Sequence, residues 1–147
     1  MTRHVSRWLL AATGLTLVVV GAGVAFVPQA FYAGYGIAPA DSSPLLGELR
    51  ASGLAVLAWG SLVGAGAVMP RLAAMSALAG AVTMLAHAAG RALSWGVDGE
   101  PAAGLVAAGA AELLLGAACV WVLTRLPAGA GTERPLGPAH PERFPAS

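Results

Sequence analysis

Seven residues of this chain carry reactive side chains in or beside long apolar runs: Glu48, Arg50, His87, Arg91, Ser94, Asp98 and Glu112. Glu112 lies about 11 residues past Pro101, roughly 16 Å along a helix, which would set it near the middle of a bilayer. A charge there costs at least about 2.5–3.5 kcal/mol on the most lenient insertion scale, so it demands a partner, a proton or water. His87 and Arg91 are four apart and therefore neighbours on one helical face. Ser76, Gly80, Thr83, His87, Arg91 and Ser94 recur at steps of three and four, a polar or small stripe expected to point into a bundle. Glu48 and Arg50 are two apart and project from nearly opposite faces. The expected arrangement pairs Arg91 with Glu48 or Asp98 and sets Glu112 beneath them, within reach of His87.

Such a constellation suits several chemistries. It can hold a small polar or lipid-like ligand in a cavity, as a binding protein or an accessory subunit would. Glu112 can act as a general acid or base on a hydrophobic substrate, with His87 or Arg91 polarising it. A carboxylate at the midplane also suits proton-coupled transport. The plainer alternative is a set of internal ion pairs that fix helix register. No nucleophile–base pair or cofactor motif accompanies the cluster, so the sequence leans away from an enzyme and no cofactor is expected. His87, Glu48 and Glu112 lack the tight ligand spacing of a metal site, and no metal is expected. Transport would require a homodimer, because four helices leave little room for alternating gates and show no repeated broken helices.

The elements that must position these groups are written in hydropathy. Of 147 residues, 57% are hydrophobic and 10% charged, where water-soluble domains carry roughly 25% charged residues. The mean hydropathy is +0.74, so a lipid bilayer is the expected surrounding. Charge is absent from 8–27, 51–70 and 72–90, and from 102–124 apart from Glu112. Each run is close to the roughly 20 residues that cross a bilayer core. Proline, glycine and charge separate them at Pro28, Pro39, Pro44, Pro70 and Asp98-Gly99-Glu100-Pro101. The expected fold is all-α: a four-helix transmembrane bundle over residues 1–125, with helices at about 8–27, 45–69, 71–94 and 101–125. Residues 126–147, with five prolines, are expected to form a disordered, flexible tail.

Arg3, Arg7, Arg71, Arg125, Arg134 and Arg143 fall on one side of a four-span weave, and Arg50 and Arg91 on the other. The positive-inside rule then expects a cell-membrane protein with both termini and the tail in the cytoplasm. The first apolar run is read as an uncleaved helix, being long for a signal-peptide core. With no lysine and a net charge of +1, nothing suggests nucleic acid as a partner. Gly60/Gly64, Ser76/Gly80, Ala77/Ala81 and Ala107/Ala111 have the small-residue spacing of close helix packing. Cys119 is read as one more small packing residue.

Four phrases carry a resemblance. Tyr35-Gly36-Ile37, Gly47-Glu48-Leu49-Arg50-Ala51, Gly90-Arg91-Ala92-Leu93-Ser94 running to Asp98-Gly99-Glu100-Pro101, and Ala111-Glu112-Leu113 together resemble the bacterial membrane family catalogued as domain of unknown function 4345. The likeness spans about residues 7–125. It implies four helices and shared positions that here are Glu48, Arg50, Arg91, Ser94, Asp98, Gly99 and Glu112. It implies no established activity. Ser52-Gly53-Leu54 stands where the family carries an aromatic and paired glycines.

Overall fold

The computed structural model describes residues 2–38 and 42–126. Among them there is no strand, and the chain is all-α. Helix α1 spans Thr2–Phe26, a short α2 Pro28–Ala33, α3 Ser43–Val68, α4 Ala73–Asp98 and α5 Ala103–Arg125. A 3-10 turn, Pro70–Leu72, joins α3 to α4. The four long helices are each long and apolar enough to cross a membrane. Each runs past its charge-free core, because Arg, Ser and Asp propagate a helix whose apolar turns are already formed. The tail expected at 126–147 falls, but for Leu126, outside the described residues.

The chain breaks where its backbone chemistry requires it. Pro28 has no N–H to continue α1 and stands at the start of α2. Pro44 occupies the first turn of α3, where a missing N–H is harmless. At the end of α2 the Ile37 N–H donates to the Tyr32 carbonyl at 3.1 Å and the Gly36 N–H to the Ala33 carbonyl at 3.0 Å. Gly36 has φ +74°. This is a Schellman ending, which needs a left-handed residue at that point, and it accounts for the phrase Tyr35-Gly36-Ile37. Gly99, at φ +101°, turns the chain from α4 into α5.

Helices α1 and α3 form an antiparallel spine in which backbone touches backbone. A Cβ added at Gly14 would lie 2.6 Å from the Gly64 Cα, and one at Gly60 2.6 Å from the Val18 nitrogen. Seven residues further on, Gly21 meets Leu57 and Gly53 meets Ala25 in the same way. The small residue at position 53 therefore opens the approach that larger ones would block. Gly60 thus packs within one chain, and Ser76, Ala77, Gly80 and Ala81 are buried. The pair Ala107/Ala111 is not packed: both residues face outward, because α5 is in the core only along its second half.

The core sits at one end. It gathers Leu10 and Leu17 of α1, Val63 and Ala67 of α3, Ala77, Ala81 and Met84 of α4, and Cys119 and Val122 of α5. At its centre the Thr13 hydroxyl donates to the Leu9 carbonyl at 2.9 Å, and the Cys119 thiol points at Thr13 Oγ1 from 3.5 Å. Gly80 makes room, since a Cβ there would lie 2.8 Å from the sulfur. Ser76, fully buried, satisfies its hydroxyl on the Leu62 carbonyl at 2.8 Å. Arg7 ties the start of α1 to the Ala67 carbonyl at the end of α3, at 2.7 Å. We call this the closed end. Beyond Met84 in α4 and before Gly116 in α5 no residue is buried, so the α4–α5 pair leaves the core towards an open end.

Large apolar side chains lie on the outside, among them Leu15, Val19, Val82, Leu93 and Leu114. Water does not favour such a surface, and lipid does. The spine is the feature most sensitive to substitution. Gly14→Leu and Gly53→Leu should each destabilise the detergent-solubilised protein by about 1–3 kcal/mol, the range of overpacked contacts. Gly90→Ala, with nothing within 4 Å of the new methyl, should be neutral or stabilising by up to about 1 kcal/mol. Thermal unfolding followed by circular dichroism reads both, and equal effects would refute the spine.

Candidate functional site

Helices α4 and α5 are antiparallel, and small residues set their register. Gly116 receives the Leu85 side chain, 2.7 Å from where a Cβ would stand, and Gly109 receives the stem of Arg91 at 3.4 Å. Side chains on a helix lean towards its N-terminus. On α4, which runs to the open end, Arg91 therefore leans back towards the core. On α5, which runs the other way, Glu112 leans out to meet it. The Arg91 Nε donates to Glu112 Oε2 at 2.8 Å and Nη2 donates to Oε1 at 3.0 Å. This two-point geometry matches a planar guanidinium to a planar carboxylate and is among the strongest side-chain contacts. Glu112 is 13% exposed and Arg91 34%.

This pair corrects the expected one. Asp98 shares the lean of Arg91, so it reaches back along α4 and accepts a hydrogen bond from the Ser94 hydroxyl at 2.6 Å. Glu48 and Arg50 are exposed near the start of α3 and form no ion pair among the described residues. Nothing in the structure explains the pairing of types at those two positions. His87 makes no hydrogen bond to Glu112. Its Nδ1 instead donates to the Thr83 carbonyl one turn back, at 2.9 Å, which leaves Nε2 of the neutral ring as an acceptor. The polar stripe on α4 is a straight line on the helix, but only its first part is covered: Ser76 and Gly80 are buried, Thr83 and Arg91 partly so, and His87 and Ser94 exposed. The stripe keeps its direction while its neighbours fall away.

A groove of about 1180 Å³ runs along α4 and α5 at the open end. Arg91, His87 and Ser94 lie on its wall, and Asp98 and Glu100 line it where the two helices connect. Most of the remaining lining is apolar, including Trp95, Leu105, Val106 and Ala110. Glu112 is not part of the lining. The groove therefore meets the positive member of the ion pair, while the negative member is turned into the α4–α5 contact.

The end of α2 reaches the same region. Tyr35 rests on Gly104 of α5, with Cδ1 3.0 Å from where a Cβ would be, and Phe31 packs at 5.4 Å centroid distance on Tyr35. Ile37, just past the Schellman turn, joins the groove lining. Gly109 and Gly104 are site-forming residues that sequence reasoning passed over, and Ile37 stood out only as part of the phrase that carries the resemblance. Gly109 had one legible signal: it lies three residues before Glu112 and so on the same face of α5. No group of His, Cys, Asp and Glu among the described residues could hold a metal ion.

A family model described as Domain of unknown function (DUF4345) matches residues 5–123. No curated protein and no solved structure matches the chain.

If the ion pair holds α4 to α5, its two halves must be coupled. Arg91→Ala and Glu112→Ala should each cost about 1–3 kcal/mol, since each leaves a largely covered charge without its partner. The double variant should cost less than the sum by about 0.5–3 kcal/mol. Denaturant unfolding of the four proteins measures the coupling, and strict additivity would contradict the pair.

Proposed function

The chain belongs to the family described as Domain of unknown function (DUF4345), and we propose that this member is a bilayer-embedded binding protein whose open-end groove holds a small, lipid-like ligand. One observation carries this reading: a partly covered guanidinium stands on the wall of a largely apolar groove of about 1180 Å³. Such a site is concave and mostly apolar, with a few placed polar groups, as small-molecule sites are. The groove volume lies at or above the upper end of the usual range, about 300–1000 Å³, which favours an extended ligand.

The surroundings support a bilayer. Four helices can cross it, and apolar side chains cover the outside. Arg3, Arg7, Arg71 and Arg125 belong to the closed end, where Arg125 also lies over the Trp121 ring at 5.3 Å. By the positive-inside rule these arginines favour a closed end on the cytoplasmic side of the cell membrane and a groove on the far side. A ligand then enters sideways, from the lipid.

Nothing favours the catalytic reading equally. Both oxygens of Glu112 are engaged by Arg91, and Glu112 does not line the groove. A purely structural ion pair makes a different prediction from a binding site, because it is indifferent to whether the groove is filled. Ala89 and Ala110 are exposed residues of the groove wall. Ala89→Trp and Ala110→Trp should leave the melting temperature in detergent unchanged, yet reduce a co-purifying small molecule about tenfold, the effect of losing about 1.4 kcal/mol. Mass spectrometry of extracts from wild type and both variants reads the loss. An identical set of bound molecules in all three would overturn the binding reading.

A further inference from the structure

Resting on the groove reading above, we infer that the groove selects an amphiphile with an anionic head, a carboxylate or a phosphate monoester on a single apolar chain, and that Arg91 holds the head. A guanidinium has five N–H donors. Glu112 takes two of them, on Nε and Nη2, so five minus two leaves three, and no other described residue accepts from them. Those donors belong to the ion-pair member that lines the groove. An oxygen acid matches them in shape and as an acceptor, because the same fork that grips Glu112 on one edge offers a second edge.

The other charges of the groove sharpen the choice. Asp98 and Glu100 are exposed at the α4–α5 connection, where water and salt screen them. Arg91 stands about two turns further along α4, beside apolar wall, where screening is weaker and a head can be recognised. An anion therefore binds past the acidic turn, with its chain along Leu105, Val106 and Ala110.

Trp95 lines the groove and is 53% exposed, so it reports occupancy. The probes are terminally brominated dodecanoate, dodecyl phosphate, dodecanol and dodecyltrimethylammonium, added to protein in a bromine-free detergent. Quenching that is present in wild type and absent in Trp95→Phe isolates the groove. The inference expects half-quenching by at least one anionic probe at about tenfold lower concentration than by the ammonium or alcohol probe, equivalent to about 1.4 kcal/mol. Carboxylate ahead of phosphate marks a fatty-acid type of ligand, and the reverse order a lipid-phosphate type. The double variant Arg91→Gln/Glu112→Gln, which keeps two amides in place of the ion pair, should bind all four probes alike. Equal quenching in wild type, or preference for the ammonium probe, overturns the anion inference while leaving the groove reading intact. No Trp95-dependent quenching by any probe overturns both. The comparison in wild type stands even if the double variant fails to fold.

Discussion

A carboxylate midway along an apolar helix has to be neutralised where it stands, and the open half of this protein is arranged around that requirement. Glu112 sits in α5 with no other acid or base on that helix until Arg125. Its cation comes from α4, and both side chains lean along their helices in the directions that bring them together. The two-point contact fixes how far α4 and α5 can slide or rotate. It also decides which charge the groove meets, because the guanidinium lines the groove and the carboxylate does not. Removing water from such a pair is unfavourable, and good geometry is what offsets it.

The ion pair can occupy the open end because the bundle is held elsewhere. Gly14, Gly21, Gly53 and Gly60 let α1 and α3 touch through their backbones along most of their length. In lipid, where apolar side chains gain little by leaving their surroundings, such close contact is a principal source of helix association. The core of Leu10, Leu17, Val63, Met84, Cys119 and Val122 then closes the other end. Helices α4 and α5 are anchored there through Ser76, Gly80, Met84, Cys119 and Val122, and no residue beyond Met84 in α4 or before Gly116 in α5 is buried. A fully packed bundle would have buried the polar stripe of α4. Here Arg91 is left partly accessible, which a binding role requires.

Much of this was legible in the sequence, and the parts that were not have physical reasons. Four charge-free runs announce four helices, since a residue's solvent preference is local information. Pro28 and Pro44 mark breaks for the same reason. The membership of Arg91, Ser94, Asp98 and Glu112 in one neighbourhood could be read from depth along the helices. The partner of Arg91 could not, because depth does not say which way a side chain leans or where α5 stands relative to α4. Glu48 and Arg50 share that depth, yet both are exposed on α3 and neither lines the groove. The spacing of Gly60 and Gly64 signalled close packing. The seven-residue rhythm shared by Gly14/Gly21 and Gly53/Gly60 emerges only when the two helices are laid antiparallel. Ala107 and Ala111 have the spacing of a packed face with no partner to meet it, which composition alone does not reveal.

The central claim is that Arg91 is held by Glu112 and not by Glu48, Asp98 or water. Side-chain nitrogen NMR of the arginines in micelles tests it directly, by the exchange of each Nε–H with solvent. The account predicts that the Arg91 Nε–H exchanges much more slowly than that of exposed Arg71, and that Glu112→Gln removes the protection while Asp98→Asn and Glu48→Gln leave it. An Arg91 Nε–H that exchanges as fast as that of Arg71 in the wild-type protein would contradict it.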